Sequence, residues 1–240
     1  MNTNGRIIAE GISPYDGISP IALIVTGFNK HSANGKTGDK DNNMLQTWII
    51  RTDVEPHKAF KDNRGKAVCG NCPHHGSRKG SCYVRWHHAP LSVYRCYKRG
   101  NYPHIGNDWH LFDGKSVRMG SAGDPAMFSV NIWQKMLKNA KNHTGYTHQW
   151  KEDFAEPFKG LVQASCEDIV DKLEANYKGW KTFLVKHESV DDPDGSIHCM
   201  ASIEKGQKTN CATCGLCSGS KADVVINAHG ATANRVLIEA

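Results

Sequence analysis

Three cysteines near the end of the chain, Cys211, Cys214 and Cys217, follow a C-x2-C-x2-C spacing, with Cys199 a short way upstream. Thiolates this close in sequence are expected to converge in the folded chain, because thiolates are ligands of soft metals and clusters. A structural zinc site usually draws on two separated pairs, each C-x2-4-C. A run whose middle cysteine is shared, joined by one remote partner, is nearer to how a cubane iron–sulfur cluster is held. A [4Fe–4S] cluster is therefore the first expectation for Cys199, Cys211, Cys214 and Cys217. Zinc, or disulfides and free thiols, are the alternatives.

A second group lies in the middle of the chain. Residues 67–85 read AVCGNCPHHGSRKGSCYVR, with Cys69 and Cys72 forming a C-x2-C pair and Cys82 following. Gly70, Gly76 and Gly80 let the backbone fold tightly around a ligand. Arg78 and Lys79 add positive charge that favours thiolates. Three readings stay open: a cubane held by Cys69, Cys72 and Cys82 with one iron open, a Cys3His zinc site completed by His74 or His75, or ligation by Cys69 and Cys72 alone. Cys96 and Cys166 stand apart and read as small buried hydrophobes.

Nine cysteines, an odd number, disfavour complete disulfide pairing. Without a basic-then-apolar start to the sequence, they point to a reducing compartment, and the expected location is cytoplasmic. No stretch approaches the ~18 apolar residues of a membrane span. The formal charge of +6 is spread over scattered lysines and arginines, such as Lys30, Lys36 and Lys40, Arg95, Lys98 and Arg99, and Lys135, Lys138 and Lys141. These read as solvated faces, so nucleic acid is only a weak expectation as a partner.

Residues 1–66 read as an irregular N-terminal region with β-rich apolar runs at 22–25 and 44–50 and a Gly/Asn/Lys/Asp-rich loop at 28–43. Residues 67–198 become regular. Strands are expected at 117–122, 145–150, 161–165 and 182–186. A helix is expected over 128–142, with Val130, Trp133, Leu137 and Ala140 on one stripe. A second helix follows a polar start at 165–168, carries Ile169, Leu173 and Tyr177 on its apolar face, and ends at Gly179. Residues 199–240 hold the cysteine run and a last strand at 223–228. Strands alternating with helices imply an α/β fold, a partial parallel (β/α) barrel with cysteine-rich metal-binding loops. Ligands of such sheets gather at the carboxyl ends of the strands, where the turns after Ala122 and Ser165 share one mouth.

The order of these motifs resembles the radical S-adenosylmethionine superfamily. Cys82-Tyr83 closes a cysteine group, Ser121-Ala122-Gly123-Asp124-Pro125 follows at a strand end, and Leu161-Val162-Gln163-Ala164-Ser165 leads into Cys166-Glu167-Asp168 and a helix. The family spaces its cysteines C-x3-C-x2-C, where this chain has C-x2-C-x9-C. The resemblance, over residues 67–190, implies that Cys69, Cys72 and Cys82 hold the cluster that binds S-adenosylmethionine, with Tyr83 near its adenine. It implies that Ser121, Ala122, Gly123, Asp124 and Pro125 contact the methionine part, Asp124 near its amino group, and that Ser165 and Glu167 lie near the ribose. It makes the C-terminal cysteines an auxiliary cluster, and it implies a substrate and an electron donor as partners. The chain is also similar to proteins carried by tailed bacteriophages, which would make the compartment the host cytoplasm.

Three functions follow as expectations: a radical-type enzyme, a non-catalytic iron–sulfur protein, and a zinc-stabilised binding module. A hydrolase is disfavoured. His143, His148 and His229 stand near strand ends, but no G-x-S-x-G or similar nucleophile signature accompanies them.

Overall fold

Nine strands join in one sheet, ordered β1-β2-β3-β4-β5-β6-β7-β9-β8. The computed structural model describes residues 3–29, 44–75, 80–204, 206–229 and 233–236. Most of the expected 28–43 loop, with Lys30, Lys36 and Lys40, lies outside the described residues, as do Gly76, Arg78 and Lys79.

The N-terminal region is regular rather than irregular. β1 (Gly5–Ile12) pairs antiparallel with β2 (Pro20–Thr26), and β2 pairs antiparallel with β3 (Met44–Arg51). The sequence of β2, PIALIVT, is an unbroken apolar run because both of its faces are covered. One face joins the main core through Ile21, Leu23 and Val25. The other packs Ala22 and Ile24 with Ile7, Ile50, Val93 and Tyr94, the last two from helix α3 (Ala89–Lys98).

From β3 onward every pairing is parallel: β4 (Ser116–Ala122), β5 (Asn142–Thr147), β6 (Gln163–Cys166), β7 (Thr182–Lys186), β9 (Asp223–Asn227) and β8 (Ser196–His198). The sheet ends at β1 and β8 and is not closed. Short helices connect its strands: α1 (Pro56–Lys61) and α2 (Lys66–Cys69) after β3, α4 (Val130–Leu137) after β4, and α5 (Ile169–Tyr177) after β6. A last short helix, α6 (Cys211–Cys214), lies in the connection from β8 to β9.

The expected elements shift where local chemistry intervenes. The 128–142 helix contracts to α4, because Asp124 and Ser129 cap two separate pieces, a 3-10 turn over Pro125–Met127 and the helix proper. The strand expected at 145–150 begins at Asn142 instead and ends at Thr147, since Thr147, His148 and Gln149 turn to bond Asp124. α5 has its expected span, but its inward face is a different one. Leu173 is 61% and Tyr177 93% exposed, while Lys172 and Ala175 are buried. Lys172 is accepted there because its Nζ reaches Asn176 Oδ1 at 3.4 Å and Asp223 Oδ2 at 3.7 Å.

Candidate metal centres on the open sheet

The first cysteine group follows β3, the first strand of the parallel run, and is tied to the next two strand ends. Cys69 closes α2, and the loop after it is held by the side chain of Gln149. Gln149 Oε1 accepts from Asn71 N at 3.0 Å, and its Nε2 donates to the Cys69 carbonyl at 3.1 Å. The preceding carbonyl, of Val68, accepts from Asp124 N at 2.7 Å. That approach demands glycine at 123. Its φ is +81°, and a Cβ there would stand 2.7 Å from both Ile49 Cβ and Ile49 O.

Asp124 is buried and spent on the scaffold. One carboxylate oxygen accepts from Ala126 N at 3.0 Å and Thr147 Oγ1 at 2.8 Å. The other accepts from His148 N at 2.9 Å and Gln149 Nε2 at 3.4 Å. Burial pushes its pKa up, and the donors from Ala126, His148 and Thr147 only partly oppose that. Its neighbours are likewise engaged. Ser121 Oγ donates to Gln46 Oε1 at 2.7 Å, Ala122 is core, and the Pro125 carbonyl accepts from Trp133 Nε1 at 3.0 Å. Ser165 is buried, its carbonyl accepting from Trp150 Nε1 at 3.0 Å.

Cys69, Cys72 and Cys82 lie near enough for their charges to act on one another. Burial pushes the Cys69 thiol well above its ordinary pKa, and charge on Cys72 and Cys82 pushes it further. Burial likewise raises Cys82, opposed by the Val84 backbone N–H and by the Trp86 indole. Trp86 Nε1 is buried and lacks a hydrogen-bond partner of good geometry. A buried donor turned toward a thiol is one that a thiolate or an inorganic sulfide would satisfy. Tyr83 is exposed, its ring centroid 6.1 Å from that of His229. His75 is buried and packs against Phe60, with ring centroids 4.7 Å apart.

The second group forms on the connection between β8 and β9. Cys199 follows β8 and donates its N–H to the Val225 carbonyl at 2.8 Å. α6 is capped by Asn210 Oδ1, which accepts from Thr213 N at 3.0 Å. Its Ala212 carbonyl accepts from Ser116 Oγ at 3.0 Å and Asn142 Nδ2 at 3.2 Å, docking the helix on the first residues of β4 and β5. The Cys217 carbonyl accepts from Gly145 N at 3.0 Å. Burial, with Cys199, Cys211 and Cys214 close by, pushes the Cys217 thiol up to about 12, while the Tyr146 hydroxyl opposes the shift. Burial also raises Cys199, against the N–H groups of Ala201 and Ser202. Cys199 and Cys217 thus resist ionising, and a bound cationic centre is what would reverse that cost.

The donor sets, several thiols with few hard oxygen ligands, are those of a soft metal centre. Tetrahedral zinc, with bonds of about 2.3 Å, holds its thiolates about 3.8 Å apart. Among the described residues no three thiols lie within 4.8 Å of one another. Cys96 and Cys166 stay outside both groups. Cys166 is buried in the core, and Cys96 Sγ accepts from Arg99 Nη2 at 3.3 Å.

Two features escaped the sequence reading. Arg118 on β4 lies among Tyr83, Tyr146, Cys211 and Cys217. Burial opposes its charge, but these groups hold its pKa above the ordinary arginine value. His74, His148 and Glu167 also meet at the carboxyl ends of β5 and β6. His74 Nε2 is 2.7 Å from Glu167 Oε2, and His148 Nε2 is 3.2 Å from Glu167 Oε1. Burial alone would raise the Glu167 pKa, but both imidazoles pull it down to about 2. Only the positions of His148 and Glu167 at strand ends could have signalled this meeting, since His74 comes from the cysteine loop.

Comparison with family models, with curated proteins and with solved structures found no match. The fold and its sites define the class: a mixed α/β protein with an open, mostly parallel nine-stranded sheet carrying two groups of converging thiols. No helix among the described residues is long and apolar enough to cross a membrane.

Proposed function

We propose that the chain is an iron–sulfur protein of radical S-adenosylmethionine type, and that its open sheet serves as a partial (β/α) barrel. The carrying observation is that three separate segments meet at one mouth. The Cys69–Cys72 loop, the Gly123-Asp124 turn and the His148-Gln149 strand end are bonded to one another, and His148 touches Glu167 at the end of β6. That is the order of parts the resemblance calls for.

Cys69, Cys72 and Cys82 would hold one [4Fe–4S] cluster, and Cys199, Cys211, Cys214 and Cys217 a second. The chemistry that such a centre would supply there is one-electron reduction of the sulfonium of S-adenosylmethionine. The chain's own residues do the rest. Gln149 and Asp124 fix the cysteine loop, Trp86 offers an N–H to sulfur at Cys82, and the core buries Cys69. Arg118 offers positive charge near Cys211 and Cys217, which balances the negative charge of a thiolate-held cluster.

Anaerobic reconstitution, reduction with dithionite and addition of S-adenosylmethionine test this directly. 5′-Deoxyadenosine is the expected product. A second reading, an iron–sulfur protein without catalysis, is favoured by one observation: the polar groups of Ser121, Asp124 and Glu167 are already engaged with other side chains or backbone. An intact cluster that yields no product and binds no S-adenosylmethionine selects that second reading.

A further inference from the structure

We infer that His74, His148 and Glu167 form a binding site for one divalent transition-metal ion, adjoining the first cysteine group, whose Cys72 thiol also lies against the His148 ring. The inference goes beyond the iron–sulfur reading and holds whether or not the thiols carry iron.

The three side chains offer one ligand atom each, all within 4.8 Å of one another. Two imidazole nitrogens and a carboxylate form a donor set suited to Fe2+, Zn2+ or Mn2+, and three protein ligands leave positions for water or substrate. The orientation of each side chain is fixed from behind. His74 Nδ1 pairs with Ser81 Oγ at 2.7 Å, which leaves Nε2 facing Glu167. The His148 backbone is held by Asp124, and its ring meets that of His74 edge-on, with centroids 5.5 Å apart. Such outer contacts are what hold the tautomer and plane of a metal-bound histidine.

An ion pair alone accounts less well for the geometry. His148 Nε2 and Glu167 Oε1 are both buried and only 3.2 Å apart without good hydrogen-bond geometry, and the His148 ring also faces the Cys72 thiol. Two buried polar atoms that approach off-axis are poorly satisfied by each other and well satisfied by a cation between them. The site also opens where a reactive centre of a parallel sheet belongs, at the carboxyl ends of β5 and β6.

Mn2+ is the probe, because it prefers carboxylate and imidazole to thiolate and so reports little from the cysteines. The full chain is freed of loosely held divalent ions and titrated with Mn2+, with the free ion read by its electron paramagnetic resonance signal. Wild type is expected to take up one equivalent and to melt at a higher temperature with Mn2+ present. Glu167→Gln should weaken uptake at least tenfold and abolish the thermal shift. Should that variant prove poorly folded, His74→Gln leaves the His148–Glu167 contact in place and should show the same loss. Absence of saturable uptake by wild type into the millimolar range overturns the inference in favour of an ion-pair network. So does undiminished uptake by a folded Glu167→Gln or His74→Gln.

Discussion

Gln149 and Cys69 are joined by a buried bond from the Gln149 amide to the Cys69 carbonyl at 3.1 Å, and the other end of the same amide takes the Asn71 N–H at 3.0 Å. One side chain at the end of β5 thus sets the path of the first cysteine loop. Gln149→Leu keeps the volume but strands two backbone groups. Each buried group left unsatisfied costs about 1–3 kcal/mol, so a loss of about 2–6 kcal/mol is expected in denaturant unfolding. Metal retention at Cys69, Cys72 and Cys82 should fall with it. A variant as stable and as metal-rich as wild type would show that the loop is held otherwise.

Gly123 and Gly160 share a φ of +81° but not their surroundings. A Cβ at 123 would strike Ile49, whereas at 160 it would meet nothing within 4 Å. Gly160→Ala should cost only about 1 kcal/mol for the left-handed backbone. Gly123→Ala should cost about 3 kcal/mol or more, because backbone strain and overpacking add. Paired thermal melts check this, and equal costs would deny the close approach of β3 to the Gly123 turn.

Lys172 on α5 is buried against Asp223 at the start of β9. Asp223 Oδ1 also accepts from Thr182 N at 2.9 Å and Asn176 Nδ2 at 3.1 Å. Asp223→Ala leaves a buried cation and a stranded N–H and should cost about 3–5 kcal/mol. Lys172→Met replaces the cation with apolar volume and should cost less than about 1 kcal/mol or stabilise. Chemical denaturation of the two variants separates them. The reverse ranking would contradict this account of how α5 is seated.

Cys214→Ala and Cys72→Ala probe the two thiol groups separately. Each should remove the visible absorption of its own group only, and each should lower the melting temperature, since metal binding is coupled to folding. Loss of both chromophores from either single variant would show that the groups share one centre.

The parallel strands were legible where apolar residues are continuous. The strand at 182–186 falls where expected, and the last strand differs only at its end. β1 was missed because GRIIAEGI mixes glycine and charge into a strand whose apolar side chains Ile7 and Ile8 serve different cores. α5 misled for a related reason. Period-four apolar residues mark the inward face only when nothing better is available, and the Lys172–Asp223 contact pins the opposite face inward. Both cysteine groups could be named from spacing alone. His74, His148 and Glu167 could not be brought together from spacing, because two different strand ends and one loop supply them, nor could Arg118 be placed beside Cys211 and Cys217.

The central claim is that thiols from two distant segments each gather around inorganic iron. Iron, acid-labile sulfide and zinc counts on anaerobically purified protein, taken with an absorption spectrum, test it most directly. The account predicts a brown protein with about four irons and four sulfides for each intact cysteine group. A colourless protein with stoichiometric zinc, or with no metal and no sulfide, would contradict it.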